Sequence, residues 1–311
     1  MLKNQKILLT GASGTLGSMV LRALAPYNEV WGLARYVDAT KAEAVRQAGA
    51  IPVAVDLERP DLSEVPHDFS YLLHFAHTRR GADEFVESIQ INAVGPGLLM
   101  QHCRNVKAAL IVSSTAVYSP PPDVWQPLGE RDPIGGAFAP WAPSSPVSKV
   151  SLEATTRLVA EAFGIPTIIA RLNTTYGPGR GMKGGGMPVA DMEAVVLGQP
   201  VHTFADPYPH SPIHFADMID QLEPLLEAAS VPAKIVNWCG DEVVTQRQWC
   251  ELAGQLSGRR AEIIVNPVPG APCGNVGDPA LRRSITGPCQ RSFAPSFTAL
   301  YEIFAASQRD R

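Results

Sequence analysis

The chain has 311 residues, with 26 Lys plus Arg against 30 Asp plus Glu, a formal net charge of −4, 45% apolar residues and 18% charged residues. That balance supplies a sizeable core and excludes a disordered chain. It provides no basic field for nucleic acid or an anionic lipid surface, and no stretch approaches the ~18 apolar residues of a membrane span, so neither partner is expected.

The elements follow in chain order. Residues 6–10 (KILLT) form a short apolar strand, GASGTLG a glycine turn, and residues 18–25 a helix. Strands follow at 29–34, 51–55 and 71–76, with a helix at 39–48 between the first two of these. A long helix over 85–103 precedes a strand at 108–113, and a helix over 146–163 precedes a strand at 166–172. Apolar strands alternating with helices of this length predict a doubly wound parallel sheet of the Rossmann-like α/β class.

Beyond residue 172 the pattern changes. Residues 173–212 are rich in Gly and Pro, and helix and strand return at 215–229 and 234–238. The tail carries helices at 247–256 and near 297–306. The expected division is therefore a nucleotide-binding domain of 1–172 plus about 213–239, and a smaller C-terminal substrate domain of 173–212 plus 240–311. Residues 119–145 form a long proline-rich stretch without a strong period, and a loop of that length in a compact domain is usually functional.

Five scattered cysteines with no C-x-x-C pair, and a start that runs directly into a strand without a signal-peptide core, predict a cytoplasmic protein with reduced thiols. No His/Glu/Asp pair has helical metal spacing, and SSTAVY is no nucleophile elbow, so neither a metal nor a serine hydrolase is expected.

Gly11, Gly14 and Gly17 form G-x-x-G-x-x-G directly after the first strand. Such a turn lets backbone N–H groups approach a pyrophosphate, with the positive end of the following helix facing it. The second strand ends Leu33-Ala34-Arg35, with no acid to bond an adenosine ribose diol. Arg35, helped by Ser13, is suited to a 2′-phosphate, which favours NADP with NAD as second choice; the plainer reading of Arg35 is an exposed surface side chain. Asp56 and Leu57, ending the third strand, either meet an adenine edge or serve as a helix N-cap.

These motifs arrive in a familiar order. TGASGTLG (10–17), VAVDL (53–57), LLHFAH (72–77), INAVGPGLLMQHC (91–103), LIVSSTAVY (110–118), SKVSLE (148–153), RLNTTYGPG (171–179), SPIHFADMID (211–220) and DPALRRSITG (278–287) together resemble the extended short-chain dehydrogenase/reductase family, the NAD(P)-dependent epimerase/dehydratases. The resemblance implies cofactor contacts from Gly11, Ser13, Gly14, Thr15, Leu16, Gly17, Arg35, Asp56, Leu57, Phe75, Ala76 and Lys149. It also implies a homodimer through the helices at 85–103 and 146–163.

In that family a Ser or Thr, a Tyr and a Lys act together with a supporting Asn. The phenol moves a proton while the nicotinamide exchanges hydride, and the lysine binds the nicotinamide ribose and lowers the phenol pKa. By position, Ser114 matches the serine (Ser113 is its neighbouring alternative), Lys149 the lysine and Asn92 the asparagine. Four residues before Lys149, where the tyrosine belongs, stands Ser145, and no tyrosine occurs from 119 to 175.

A serine hydroxyl is far less acidic than a phenol of pKa ~10 and is several ångströms shorter. Three readings follow. Another group serves as acid/base: Tyr176, His77, His210, Glu130 or a water held by Ser145. Or the substrate's own ionisable group removes the need for one. Or the protein binds NADP without turnover.

Expected substrate contacts are His77, Ser114, Thr115, Asn173, Tyr176, His210 and Arg282, with Arg180 and Arg283 as further anion contacts. His210 stands where nucleotide-sugar enzymes of the family often place a phosphate-binding arginine, so both a nucleotide sugar and a smaller oxygenated substrate fit. The expected function is an NAD(P)-dependent oxidoreductase or epimerase acting on a secondary alcohol or ketone of a carbohydrate-like small molecule. The alternative is an NADP-binding sensor or scaffold.

Overall fold

The computed structural model describes residues 1–136, 139–140, 142–178 and 186–309. By its contacts the chain divides into two units. The first comprises Met1–Val117, Trp141–Arg171 and Ile219–Val236; the second comprises Tyr118–Pro140, Leu172–Met218 and Asn237–Arg311. Residues 118–140, 172, 213–218 and 237–239, expected in the nucleotide domain, fall in the second unit.

The first unit is built on strands β1 (Lys6–Thr10), β2 (Glu29–Ala34), β3 (Ile51–Ala54), β4 (Tyr71–His74), β5 (Ala108–Ser114) and β6 (Thr167–Leu172). With the Lys234–Trp238 strand they form a seven-stranded sheet in the order Lys234–Trp238, β6, β5, β4, β1, β2, β3. The pairs β1–β2, β2–β3, β1–β4 and β4–β5 are parallel. Every residue of β6 and all but the last of β5 are buried, as in a sheet covered on both faces. This is a Rossmann-like α/β fold.

Helices α1 (Thr15–Leu24), α2 (Ala39–Gln47), α3 (Phe85–Ile89), α4 (Gly95–His102) and α5 (Ser144–Phe163) flank the sheet. Leu8, Leu33, Leu72, Leu99, Ile111 and Leu152 meet in its core. The chain leaves β1 for β2 and β3 on one side, then returns to β4 on the other, so β1 and β4 enclose the point where strand order reverses. Ligands of such sheets bind outside the carboxyl ends of the strands at that point.

Two helices differ from expectation. The helix expected over 85–103 is interrupted by a π-helical turn at Gln90–Val94. Helix α5 starts two residues earlier than expected and ends at Gly164, whose φ of 67° closes it in the left-handed region. Pro146 falls in the first turn of α5, where its missing N–H costs no helical hydrogen bond.

The second unit has its own core, in which Trp249, Phe293 and Phe297 pack with Val189 and Met192. Its helix Gln246–Ser257 is started by a capping box: Gln248 N–H donates to Thr245 Oγ1 at 3.2 Å, and Thr245 N–H donates to Gln248 Oε1 at 2.8 Å. No helix among the described residues is long and apolar enough to cross a membrane.

Candidate active site

The glycine turn at the end of β1 is closely fitted. Gly11 has φ +72°, and a Cβ placed there would lie 2.8 Å from the backbone N of Ala76. A Cβ on Gly17 would lie 2.2 Å from the carbonyl O of Gly11. Any side chain at Gly11 would therefore fill the space between the ends of β1 and β4. Gly14, the N-cap of α1, supplies no side-chain acceptor, and Gly14 and Thr15 are exposed, so the helix N-terminus keeps donors for an anion. Ser13 and Leu16 are half-buried beside them.

Thr10 ties the two strand ends together. Its Oγ1 accepts from the N–H groups of Phe75 and Ala76, each at 3.2 Å. Its own proton is then left for His74 Nδ1, 2.8 Å away. His74 is fully buried, and burial holds its pKa down to about 3, so it is a neutral structural imidazole.

The first turn of α5 is held against the loop that follows β4. Ser144 Oγ donates to Arg80 O at 3.1 Å. Asn92, placed by the π-helical turn, accepts from Thr78 N–H at 2.8 Å through Oδ1 and donates to Thr78 O at 2.9 Å through Nδ2. The same Nδ2 reaches Ser148 Oγ at 3.1 Å, and Ser148 Oγ donates to Ser145 O at 2.9 Å. Within this clasp, His77 Nε2 and Ser145 Oγ are 2.8 Å apart. Both residues are half-buried. Burial, followed by the charge of Lys149, holds the His77 imidazole well below the usual histidine range and therefore neutral at pH 7.

Lys149 follows Ser145 by one helical turn and so shares its face. Its side chain is 6% exposed, and Nζ donates to Val112 O at 2.7 Å. Burial brings its pKa down to about 7, partly opposed by Glu153. One further turn on, Glu153 is buried and takes a two-pronged contact from Arg171, Nε to Oε1 at 2.9 Å and Nη2 to Oε2 at 2.8 Å. Ser113 Oγ donates to Glu153 Oε1 at 2.6 Å. Ser113 is thus committed to this network, whereas Ser114 is half-buried and its Oγ accepts from Ala116 N–H at 3.1 Å. Thr115, next along, is buried.

The remaining sequence candidates have different surroundings. Arg35 is exposed just beyond β2. Asp56 is exposed and caps a turn by accepting from Glu58 N–H at 3.0 Å; no helix follows it, so the N-cap reading fails. Leu57 is buried in the core. In the second unit Asn173 Nδ2 donates to Asn275 O at 2.9 Å.

Three proposed substitutes for the tyrosine are built into the second unit. Tyr176 is 1% exposed, its ring packs on His214 and Phe293, and burial pushes its phenol upward. His210 packs on Tyr208 and Trp249, with its pKa held down to about 4 by burial. Glu130 Oε1 accepts from Asn237 N–H at 2.8 Å.

Arg282 is not an exposed anion contact either. It is fully buried, paired with Asp241, and donates to Gly287 O at 2.9 Å. Arg283 is exposed. Arg180 lies outside the described residues.

Sequence reasoning named His77 and Ser145 separately and missed their contact. The signal was indirect: Ser145 is one turn before Lys149, and His77 lies just beyond the strand beside β1. Thr10, Ser144, Ser148 and the Glu153–Arg171 pair carried no motif that singles them out.

The sheet order and the glycine turn at the strand-order reversal define a Rossmann-like α/β protein. The sequence model of the NAD dependent epimerase/dehydratase family matches residues 7–222, and the chain belongs to that family. It is 28% identical over 192 residues to dTDP-glucose 4,6-dehydratase of Neisseria meningitidis serogroup B, a match covering 56% of this chain and 54% of that one. Against dTDP-glucose 4,6-dehydratase 1 of Escherichia coli K12 the identity is 27% over 201 residues, covering 56% and 55%. The chain thus spans about half the length of the curated relatives it matches.

Solved structures share the fold. UDP-glucuronic acid 4-epimerase from Bacillus cereus, in complex with UDP-glucuronic acid and NAD, superposes with a TM-score of 0.81 at 21% identity, covering 96% of this chain and 99% of that one. UDP-N-acetylglucosamine 4-epimerase from Methanobrevibacter ruminantium M1, in complex with UDP-N-acetylmuramic acid, gives 0.82 at 18% identity, covering 98% and 100%.

Proposed function

We propose that this protein is a nicotinamide-dinucleotide-dependent epimerase, dehydratase or oxidoreductase acting on a secondary alcohol of a nucleotide sugar. The observation that carries the reading is the close Gly11–Ala76 approach at the carboxyl edge of the sheet, where β5 also ends in the half-buried Ser114 and where Lys149 of α5 bonds Val112 O. The residues fit a dinucleotide: the glycines allow close backbone packing at the turn, and the α1 N-terminus that follows has no side-chain cap on its donors.

When bound, an oxidised nicotinamide supplies a reversible acceptor for hydride. The chain's own residues supply the rest. Gly11 and Gly14 admit the phosphates, Lys149 places the nicotinamide ribose, Ser114 holds the reacting oxygen, and Asn92 fixes the loop carrying His77.

The cofactor reading moves from NADP, expected from Arg35, to NAD. The family description and the B. cereus epimerase both name NAD, and Arg35 sits exposed as an ordinary surface arginine would. Nucleotide sugars are preferred over smaller substrates because both dTDP-glucose 4,6-dehydratases and UDP-sugar 4-epimerases are similar to this chain. The same likeness speaks against the sensor alternative.

Calorimetric titration with NAD, followed by proton NMR of dTDP-glucose, UDP-glucose and UDP-glucuronic acid incubated with protein and NAD, tests the proposal. NAD binding with conversion of at least one sugar is expected. Absence of dinucleotide binding, or binding with no conversion of any of the three, would overturn it.

A further inference from the structure

The family's tyrosine position holds Ser145, yet the structure offers a base at that place. His77 Nε2 lies 2.8 Å from Ser145 Oγ, within ordinary hydrogen-bond range. The contact is fixed on both sides. Ser144 and Ser148 anchor the first turn of α5 to Arg80 and Asn92, and Asn92 grips the backbone of Thr78, the residue after His77. A hydroxyl is a weak proton carrier alone, but a hydroxyl bonded to a neutral imidazole passes its proton on. Both side chains are half-buried.

We propose that Ser145 and His77 together replace the absent phenol as a two-proton relay. This rests on the oxidoreductase reading above. In the oxidative direction the substrate O–H bond breaks and its proton passes to Ser145 Oγ. The Ser145 proton passes at the same time to His77 Nε2. The carbinol C–H bond breaks, its hydrogen and electron pair leave to an oxidised nicotinamide dinucleotide, and the oxygen lone pair closes a C=O bond. Carbon is oxidised, the dinucleotide is reduced, and one proton rests on His77. Reduction reverses each transfer.

Ser145 is the catalytic residue of this pair, and His77 acts through it. The imidazole behind the hydroxyl makes up for the serine's low acidity.

The test uses the full chain with NAD and the nucleotide sugars named above, together with nitrogen NMR of histidine-labelled protein. In the parent, His77 Nε2 should resonate as an unprotonated acceptor, and the signal should move downfield in Ser145→Ala as the hydrogen bond is lost. Sugar turnover should fall about 10²–10⁴-fold in Ser145→Ala and in His77→Gln, with NAD affinity within about twofold of the parent. A Ser145→Tyr/His77→Gln double variant should recover turnover, because a phenol needs no base behind it.

An unmoved His77 resonance in Ser145→Ala would overturn the relay alone, as would parent-like turnover in His77→Gln. A parent that binds NAD but converts no sugar would remove the oxidoreductase reading and the relay with it. The two failures are therefore distinguishable.

Discussion

His77 Nε2 stands 2.8 Å from the hydroxyl of Ser145, the residue that occupies the tyrosine position one helical turn before Lys149. A cationic His77 would stand beside Lys149, which carries its own burial cost. The neutral imidazole is therefore the resting form, and the same burial and charge make its cation costly, so a proton taken up in the relay is held only transiently.

Lys149 makes stability depend on pH. Its folded pKa of about 7 is below its ordinary value of 10.5. Between those two values the unfolded chain binds more protons than the folded one, so stability should rise as pH climbs from about 7 towards 10.5. Lys149→Met should flatten that rise. Urea unfolding at pH 7 and pH 9 checks it, and equal slopes in parent and variant would contradict it.

Glu153 and Arg171 form a buried pair, with Ser113 as a third member. Glu153→Gln strands the Arg171 cation in the core and should cost about 3–5 kcal/mol. The loss should appear as a lower denaturation midpoint. A cost below about 1 kcal/mol would show that the charge is otherwise compensated.

Gly11 has both a left-handed backbone and no room for a Cβ against Ala76 N. Gly11→Ala should lower stability by about 1–2 kcal/mol and weaken NAD binding by more than tenfold. Retained NAD affinity in a folded variant would place the dinucleotide elsewhere.

Arg35 offers a test of the cofactor. With Arg35 exposed, the parent should bind NAD at least as tightly as NADP, and Arg35→Ala should weaken NADP while leaving NAD within about twofold. Tighter NADP binding in the parent, lost in the variant, would restore the expectation drawn from the end of the second strand.

The sheet was legible in the sequence because parallel strands buried on both faces read as continuous apolar runs, as in residues 6–10, 108–113 and 166–172. The glycine turn was legible because its spacing is itself the structural requirement. The interruption at Gln90–Val94 was not, since a π-helical turn leaves no distinct apolar period. The His77–Ser145 contact was hidden for a related reason. It joins residues 68 apart in sequence through the packing of α5 against the loop after β4, and no local pattern encodes that packing. Arg282 read as a substrate contact because its partner, Asp241, is remote in sequence and the fold alone reveals its burial.

The relay is tested most directly by a proton inventory of sugar oxidation in mixtures of light and heavy water. Two protons in flight, from substrate to Ser145 and from Ser145 to His77, give a rate that curves downward against the deuterium fraction, with a straight line in Ser145→Tyr/His77→Gln, where one proton moves. A straight line in the parent protein would contradict the relay.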